Sequence, residues 1–129
     1  MEKEFWRWHR LETTIEHNGA RPFFYPREIW FSALGINIGH EEDGKGSNFL
    51  RPVIVIKKLS SETFWAVPLT SRAKKGPHDY EIETVQESRS TAILSQLRML
   101  DSKRLVRKAG RISRRQLREI KENIKAMLE

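Results

Sequence analysis

The 129-residue chain has no cysteine. That removes disulfide frameworks, thiolate nucleophiles and Cys-based zinc sites, and it fits a reducing cytoplasm. No stretch approaches the roughly 18 consecutive apolar residues that a membrane-spanning helix needs, so no membrane association is expected. The opening Met1-Glu2-Lys3-Glu4 runs into Phe5, Trp6, Arg7 and Trp8, without the uncharged apolar stretch of a secretory signal. GxxxxGKS/T, GxGxxG after a strand and HExxH are all missing. His9, His17, His40 and His78 lie too far apart to match a metal-ligand spacing, and no acidic cluster resembles a two-metal nuclease site. Neither a metal nor a cofactor is expected.

What is present begins with charge. Lys and Arg number 24 against 17 Asp and Glu, a net +7. A surplus of this size favours a polyanion through screened attraction. Nucleic acid, an acidic protein and a membrane surface all satisfy it, and a merely soluble basic protein does so equally well. Apolar residues make up 38% and charged residues 32%, clustered in runs that suit a packed core. The length is that of one ordinary domain.

The pattern divides the chain into an N-terminal extension with its linker (residues 1–26) and a main domain (27–129). Phe5, Trp8, Leu11 and Ile15 recur near helical spacing, which predicts a short helix over Glu2–His17 stopped by Asn18-Gly19. Pro22 and Pro26 bracket Phe23-Phe24-Tyr25 in an extended linker whose aromatics are expected to pack on the domain. Strands are predicted at 28–33, at the β-branched run Val53–Ile56, at Phe64–Val67 ended by Pro68, at Asp79–Glu83 on an edge, at Ser90–Leu97, and at Arg104–Val106. The glycine-rich segment holding Gly35, Gly39, Gly44 and Gly46 and the basic segment Arg72–Pro77 read as loops. Ser113 and Gln116 match a capping box, and Leu117, Ile120, Ile124 and Met127 form a buried helical stripe. Short strands closed by one helix predict a mainly β, α+β fold: a small antiparallel barrel with a C-terminal helix.

Several residues can carry chemistry on RNA without metal, because the attacking group is the RNA's own 2′-hydroxyl. The protein must supply a base, an acid and positive charge for the phosphorane. Arg51 opens the buried strand and is held extended by Pro52; its fork suits phosphate, though pairing with a loop carboxylate such as Glu41 or Glu42 is the plainer use. Thr70 and Ser71 sit where the next strand turns outward, able to bond a phosphate oxygen or simply to cap the turn. His40 beside Glu41 suits acid–base work near neutral pH, yet a loop histidine is more often solvated. Arg98 and Asp101 are close enough in sequence to pair, an interaction worth about 0–1 kcal/mol at a surface. The stretch from Arg104 to Arg118 is basic enough to track a phosphate backbone, and equally suited to solvation.

Taken together and in order, these pieces resemble the MazF/PemK toxin family. Arg27-Glu28-Ile29-Trp30 is similar to its opening strand, Gly39-His40-Glu41 to its G-x-E loop, Arg51 through Ile56 to its R-P-V strand, and Val67 through Ser71 to the following proline–threonine segment. The run Leu94 to Leu105 resembles the Q-x-R…D-x-x-R-L signature. The likeness covers about Arg27 to Leu128. It implies an SH3-like barrel, usually a homodimer. It also implies cleavage of single-stranded RNA at short sequences to a cyclic 2′,3′-phosphate, and a cognate acidic antitoxin. The family arginine maps onto Arg51, on the phosphorane charge, and its threonine onto Thr70, on a phosphate oxygen; His40 stands where some members carry a histidine. Glu41, Ser71, Ser95, Gln96 and Arg98 map to RNA contacts. Where certain members carry a catalytic Arg-x-Asp, this chain has Ile93-Leu94-Ser95, so His40 or Glu41 would have to act as base. Two other readings stand beside this one: a non-catalytic toxin of the CcdB type acting on DNA gyrase, and a basic RNA-binding module.

Overall fold

Val53–Ile56 is buried on both sides of its strand, and the architecture follows from that. The computed structural model describes residues 9–10, 21–33, 49–71, 76–83 and 89–129. Its strands are β1 (His9–Arg10), β2 (Glu28–Ser32), β3 (Phe49–Lys58), β4 (Thr63–Thr70), β5 (Asp79–Glu83), β6 (Arg89–Ile93), β7 (Arg98–Asp101) and β8 (Leu105–Arg111), followed by helix α1 (Arg114–Met127). All pairings are antiparallel, in the order β5-β6-β4-β3-β2-β8, with β1 paired to β3 and β7 to β4.

Alternate residues of β3 feed two cores. Ile54 and Ile56 join Ile29, Phe31, Val67 and Leu69 under α1. Val53 and Val55 join Phe24, Trp30, Phe64, Ala66, Leu100 and Leu105 on the other face. Filling both faces is what a continuous β-branched run can do and an alternating strand cannot. Strand β4 is longer than its sequence suggests, because Pro68 lies within it. Residues 63–66 pair with β7 and residues 69–70 with β6, so the proline falls where β4 changes partner. Its missing N–H is tolerable at such a switch. This shared, bent strand wraps the sheet around the first core.

Helix α1 starts as expected. Ser113 Oγ accepts from Gln116 N at 3.0 Å, while Gln116 Oε1 accepts from Ser113 N at 3.1 Å. Leu117, Ile120 and Ile124 are buried and Met127 packs against them.

The entry to β2 is a type II turn, Tyr25-Pro26-Arg27-Glu28, closed by Glu28 N on Tyr25 O at 3.3 Å. Arg27 takes the position that needs a positive φ, at 82°. For a side chain that costs about 1–2 kcal/mol. Three bonds offset it: Arg27 N to Val55 O (2.8 Å), Ile112 N to Arg27 O (2.9 Å) and Arg27 Nε to Ile112 O (3.1 Å). They tie the linker to β3 and to the start of α1.

Several expectations need correction. Of the three linker aromatics only Phe24 is buried, its ring 4.9 Å from that of Phe64, while Phe23 is 82% exposed and Tyr25, 54% exposed, only lies under Lys58 of β3, 4.8 Å from its ring. An extended segment sends alternate side chains to opposite sides, so the middle one alone faces the sheet. The strand expected over Ser90–Leu97 stops at Ile93 and turns through a 3-10 segment, Leu94–Gln96. The short last strand extends from Leu105 to Arg111, and β7 is an additional strand. Asp101 pairs with Arg21, at 2.5 Å, and not with Arg98. The predicted helix over Glu2–His17 falls outside the described residues except at His9–Arg10. These two are extended, paired with Leu50 and Phe49, because β3 begins beyond the reach of β2 and offers them its backbone.

Candidate active site

Arg51 and Thr70 are nineteen positions apart in sequence, and both lie just past the same end of the β3–β4 ladder. The β3–β4 ladder sets Val53 opposite Pro68 and Ile54 opposite Val67. The ladder ends there, so Arg51 and Thr70 each lie two residues beyond its last pair, on the strand face of Val53 and Pro68. On the far side of Arg51 stands Ser32, and on the far side of Thr70 stands Thr91, itself opposite Glu81. A polar row therefore has two paired segments, Ser32–Arg51 and Thr70–Thr91–Glu81, near the ends of β2 and β4 and the start of β3. It lies on the same face as the second core, whose Val53 is two residues from Arg51.

Burial along the row is uneven. Ser32 is fully buried and Thr91 nearly so, Arg51 and Thr70 are half-buried, and Glu81 is exposed. Burial pulls the Arg51 guanidinium below its ordinary value. It stays charged, and a partly desolvated cation exerts a stronger pull on an anion than one in open water. Ser32 Oγ has no hydrogen-bond partner among the described residues. The row thus combines one fixed cation with hydroxyls, which is what holding a phosphate requires.

The remaining expected site residues are scattered differently. Ser71 is half-buried next to Thr70. Ser95 and Gln96 are exposed in the 3-10 turn between β6 and β7, where Leu94 N bonds His78 O at 2.9 Å. Arg98 is exposed opposite Ala66, four residues down β4 from Thr70, or roughly 13 Å along the strand. It shares the face of Arg51 but lies outside the row. His40 and Glu41 lie outside the described residues. Sequence reasoning missed Ser32 and Thr91. Their only signal was position, last but one in the first predicted strand and second in another.

The basic stretch from Arg104 to Arg118 does not form one track. Arg104 Nη1 donates to Ala33 O at 2.7 Å, Arg107 stands 4.6 Å over the Phe31 ring, and Lys108 pairs with Glu28 at 3.2 Å. Among the described residues no three His, Asp or Glu side chains converge, and no helix is long and apolar enough to cross a membrane.

A curled antiparallel sheet with one C-terminal helix and an Arg/Thr rim defines a class that comparison with known proteins makes specific. The PemK-like, MazF-like toxin family of type II toxin-antitoxin systems matches residues 25–128, so the chain belongs to that family. Among solved structures, MazF from Deinococcus radiodurans superposes with a TM-score of 0.62 at 20% identity, covering 84% of this chain and 97% of that one. An endoribonuclease in complex with its cognate antitoxin, from a mycobacterial species, gives 0.62 at 13% identity, covering 83% and 94%. The Mycobacterium tuberculosis toxin MazF-mt6 gives 0.60 at 15% identity, covering 79% and 96%. These likenesses establish the fold. Comparison with curated protein sequences finds no match.

Proposed function

We propose that this toxin is a sequence-specific endoribonuclease that cleaves single-stranded RNA by attack of the 2′-hydroxyl on its own phosphodiester. The observation that supports the reading is that Arg51 and Thr70 both lie just beyond the same end of the β3–β4 ladder, half-buried and flanked by the hydroxyls of Ser32 and Thr91. The crowded phosphorane gathers negative charge on its non-bridging oxygens. Arg51 meets that charge with a fixed, partly desolvated fork, and the Thr70 hydroxyl donates to one of the oxygens. Thr91 backs Thr70 across the ladder. Bond-making and bond-breaking balance within the RNA: the 2′-oxygen loses its proton and bonds phosphorus, the 5′-oxygen leaves and takes a proton, and a cyclic 2′,3′-phosphate remains. His40 and Glu41 are the assigned proton carriers, and the attacking group belongs to the substrate, so the scheme requires no metal. Ser71, Ser95, Gln96 and Arg98 are assigned to neighbouring nucleotides. The protein acts as a cytoplasmic homodimer restrained by an acidic antitoxin, a reading supported by family membership and by the antitoxin-bound mycobacterial relative.

The test is a gel assay on long single-stranded RNA in EDTA, with wild type beside Arg51→Ala and Thr70→Ala. The expected result is discrete fragments from wild type and, from variants with wild-type unfolding midpoints, a loss of about 10²–10³ in rate, the usual worth of one group that stabilises transition-state charge. Intact RNA with wild type, or full cleavage by Arg51→Ala, overturns the reading.

A further inference from the structure

We propose that α1 carries a second RNA-binding surface, a linear cationic track that holds the backbone of single-stranded RNA away from the Arg51 row. The inference rests on RNA being this toxin's ligand, and it concerns a different part of the molecule. Arg114, Arg118, Lys121 and Lys125 recur at intervals of four, three and four along the helix. At 100° per residue they fall within an arc of about 60°, and at 1.5 Å per residue they span about 16 Å in steps of roughly 4.5–6 Å. All four are exposed. With Leu117 and Glu122 they line an open depression of about 350 Å³.

Two features separate this stripe from an ordinary solvated face. First, its cations are not paired off. Arg115 is bound to Glu119 at 3.3 Å and Lys108 to Glu28, but among the described residues none of the four stripe cations makes an ion pair or hydrogen bond. Secondly, most acids and apolar side chains of the helix are sorted away from it. Leu117, Ile120 and Ile124 belong to the core, and Glu119 is hydrogen-bonded to Tyr80 and Arg115, with Arg118 adding only a weaker, unbonded attraction. Of the acids, only Glu122 lines the depression.

The occupant follows from charge complementarity. A second copy seated symmetrically on this stripe would oppose cation to cation, so the face is ill-suited to an isologous contact. An evenly spaced line of cations matches a polymer with evenly spaced anions, which RNA is and a folded acidic surface is not. Two of the four are arginines, whose fork grips phosphate bidentately. Contacts of this kind add affinity without sequence preference.

The test measures binding of a single-stranded RNA of about 30 nucleotides, blocked by 2′-O-methyl groups, across a salt series. The stripe variant carries Gln at 114, 118, 121 and 125. A control with the same charge carries Gln in place of Lys57, Lys103, Arg111 and Arg115. Each lost phosphate contact should lower the slope of log K against log salt by about 0.7, so the stripe variant should lose up to about 3 in slope and about 10- to 100-fold in low-salt affinity, while the control loses little. If the four-fold variant does not fold, Arg118→Gln with Lys121→Gln is expected to lose about 1.4. Equal losses in stripe and control variants, or none in either, overturn the proposal. So does unchanged RNA binding with lost binding of poly-glutamate, which would assign the stripe to an acidic protein. Cleavage of unblocked RNA by wild type is scored separately, so failure of the enzymatic reading and failure of the stripe give different results.

Discussion

Replacing Glu28 by Ala strands the donors that hold the linker against the sheet, and the cost can be worked out donor by donor. The Glu28 carboxylate is almost wholly buried. Its Oε1 accepts from Trp30 Nε1 at 3.0 Å and from Tyr25 N at 3.0 Å, and its Oε2 meets Lys108 Nζ at 3.2 Å. The Lys108 side chain is 53% exposed, so that ion pair contributes about 0–1 kcal/mol. The indole N–H is the expensive partner: Trp30 is 8% exposed, and a buried donor left without an acceptor costs about 1–3 kcal/mol. The Tyr25 N–H, only partly buried, contributes less. Glu28→Ala should therefore destabilise by about 2–4 kcal/mol, read as a lower urea midpoint with unchanged slope. The mechanism makes a sharper demand. In a Trp30→Phe background there is no indole N–H to strand, so Glu28→Ala should cost about 1–2 kcal/mol less there. An identical cost in both backgrounds would refute the account of Glu28 as an acceptor and leave only side-chain packing.

Three further perturbations read other parts of the fold. Burial, and then the hydrogen bond to the Glu119 carboxylate, push the Tyr80 phenol up to about 12. The folded state thus favours the neutral phenol, so this contribution is complete below about pH 10 and lost as pH rises towards 12. Tyr80→Phe should flatten the fall in stability across that window; an unchanged alkaline limb removes the Tyr80–Glu119 link as its cause. The Asp101 carboxylate lies below its ordinary value, held chiefly by the Lys103 backbone N–H and then by Arg21. Its contribution is present above about pH 4 and fades as pH falls through the lowered value. Asp101→Asn should reduce acid sensitivity below pH 4 and leave the profile from 6 to 8 parallel to wild type. Ile120 is fully buried between α1 and the sheet, so Ile120→Ala should cost about 2–5 kcal/mol, against about 1 kcal/mol for removing the α1 cap in Ser113→Ala. Costs in the reverse order would mean that the helix is held by its end and not by its buried stripe.

What was legible in the sequence was what repeats. The β-branched run of β3 and the 3–4–3 stripe of α1 were readable because burial imposes a period, and the Ser113 box because capping fixes a spacing. Pairings between distant strands impose neither. Arg51 and Thr70 could each be suspected, but nothing local says that their strands end side by side, and Ser32 and Thr91 gave no chemical signal at all. Misplaced ends have physical causes too. Pro68 looks like a terminator because it cannot donate, whereas β4 uses that deficit at a change of partner. Phe23 and Tyr25 look like core because they are aromatic, while an extended chain lets only Phe24 be buried against the sheet.

The placement of the row explains how one small domain can hold a partly buried arginine. Desolvating a guanidinium is unfavourable by itself. Here the strand that bears it is packed on both faces, with Ile54 in one core and Val53 in the other within three residues of the charge. The backbone at Arg51 cannot move outward to rehydrate the side chain without opening either core. Pro52, buried opposite Phe31, stiffens the same joint. The packing free energy of β3 thus holds the cation in its partly desolvated place, and under the proposed function such a site needs rigidity at its root more than length in its loops.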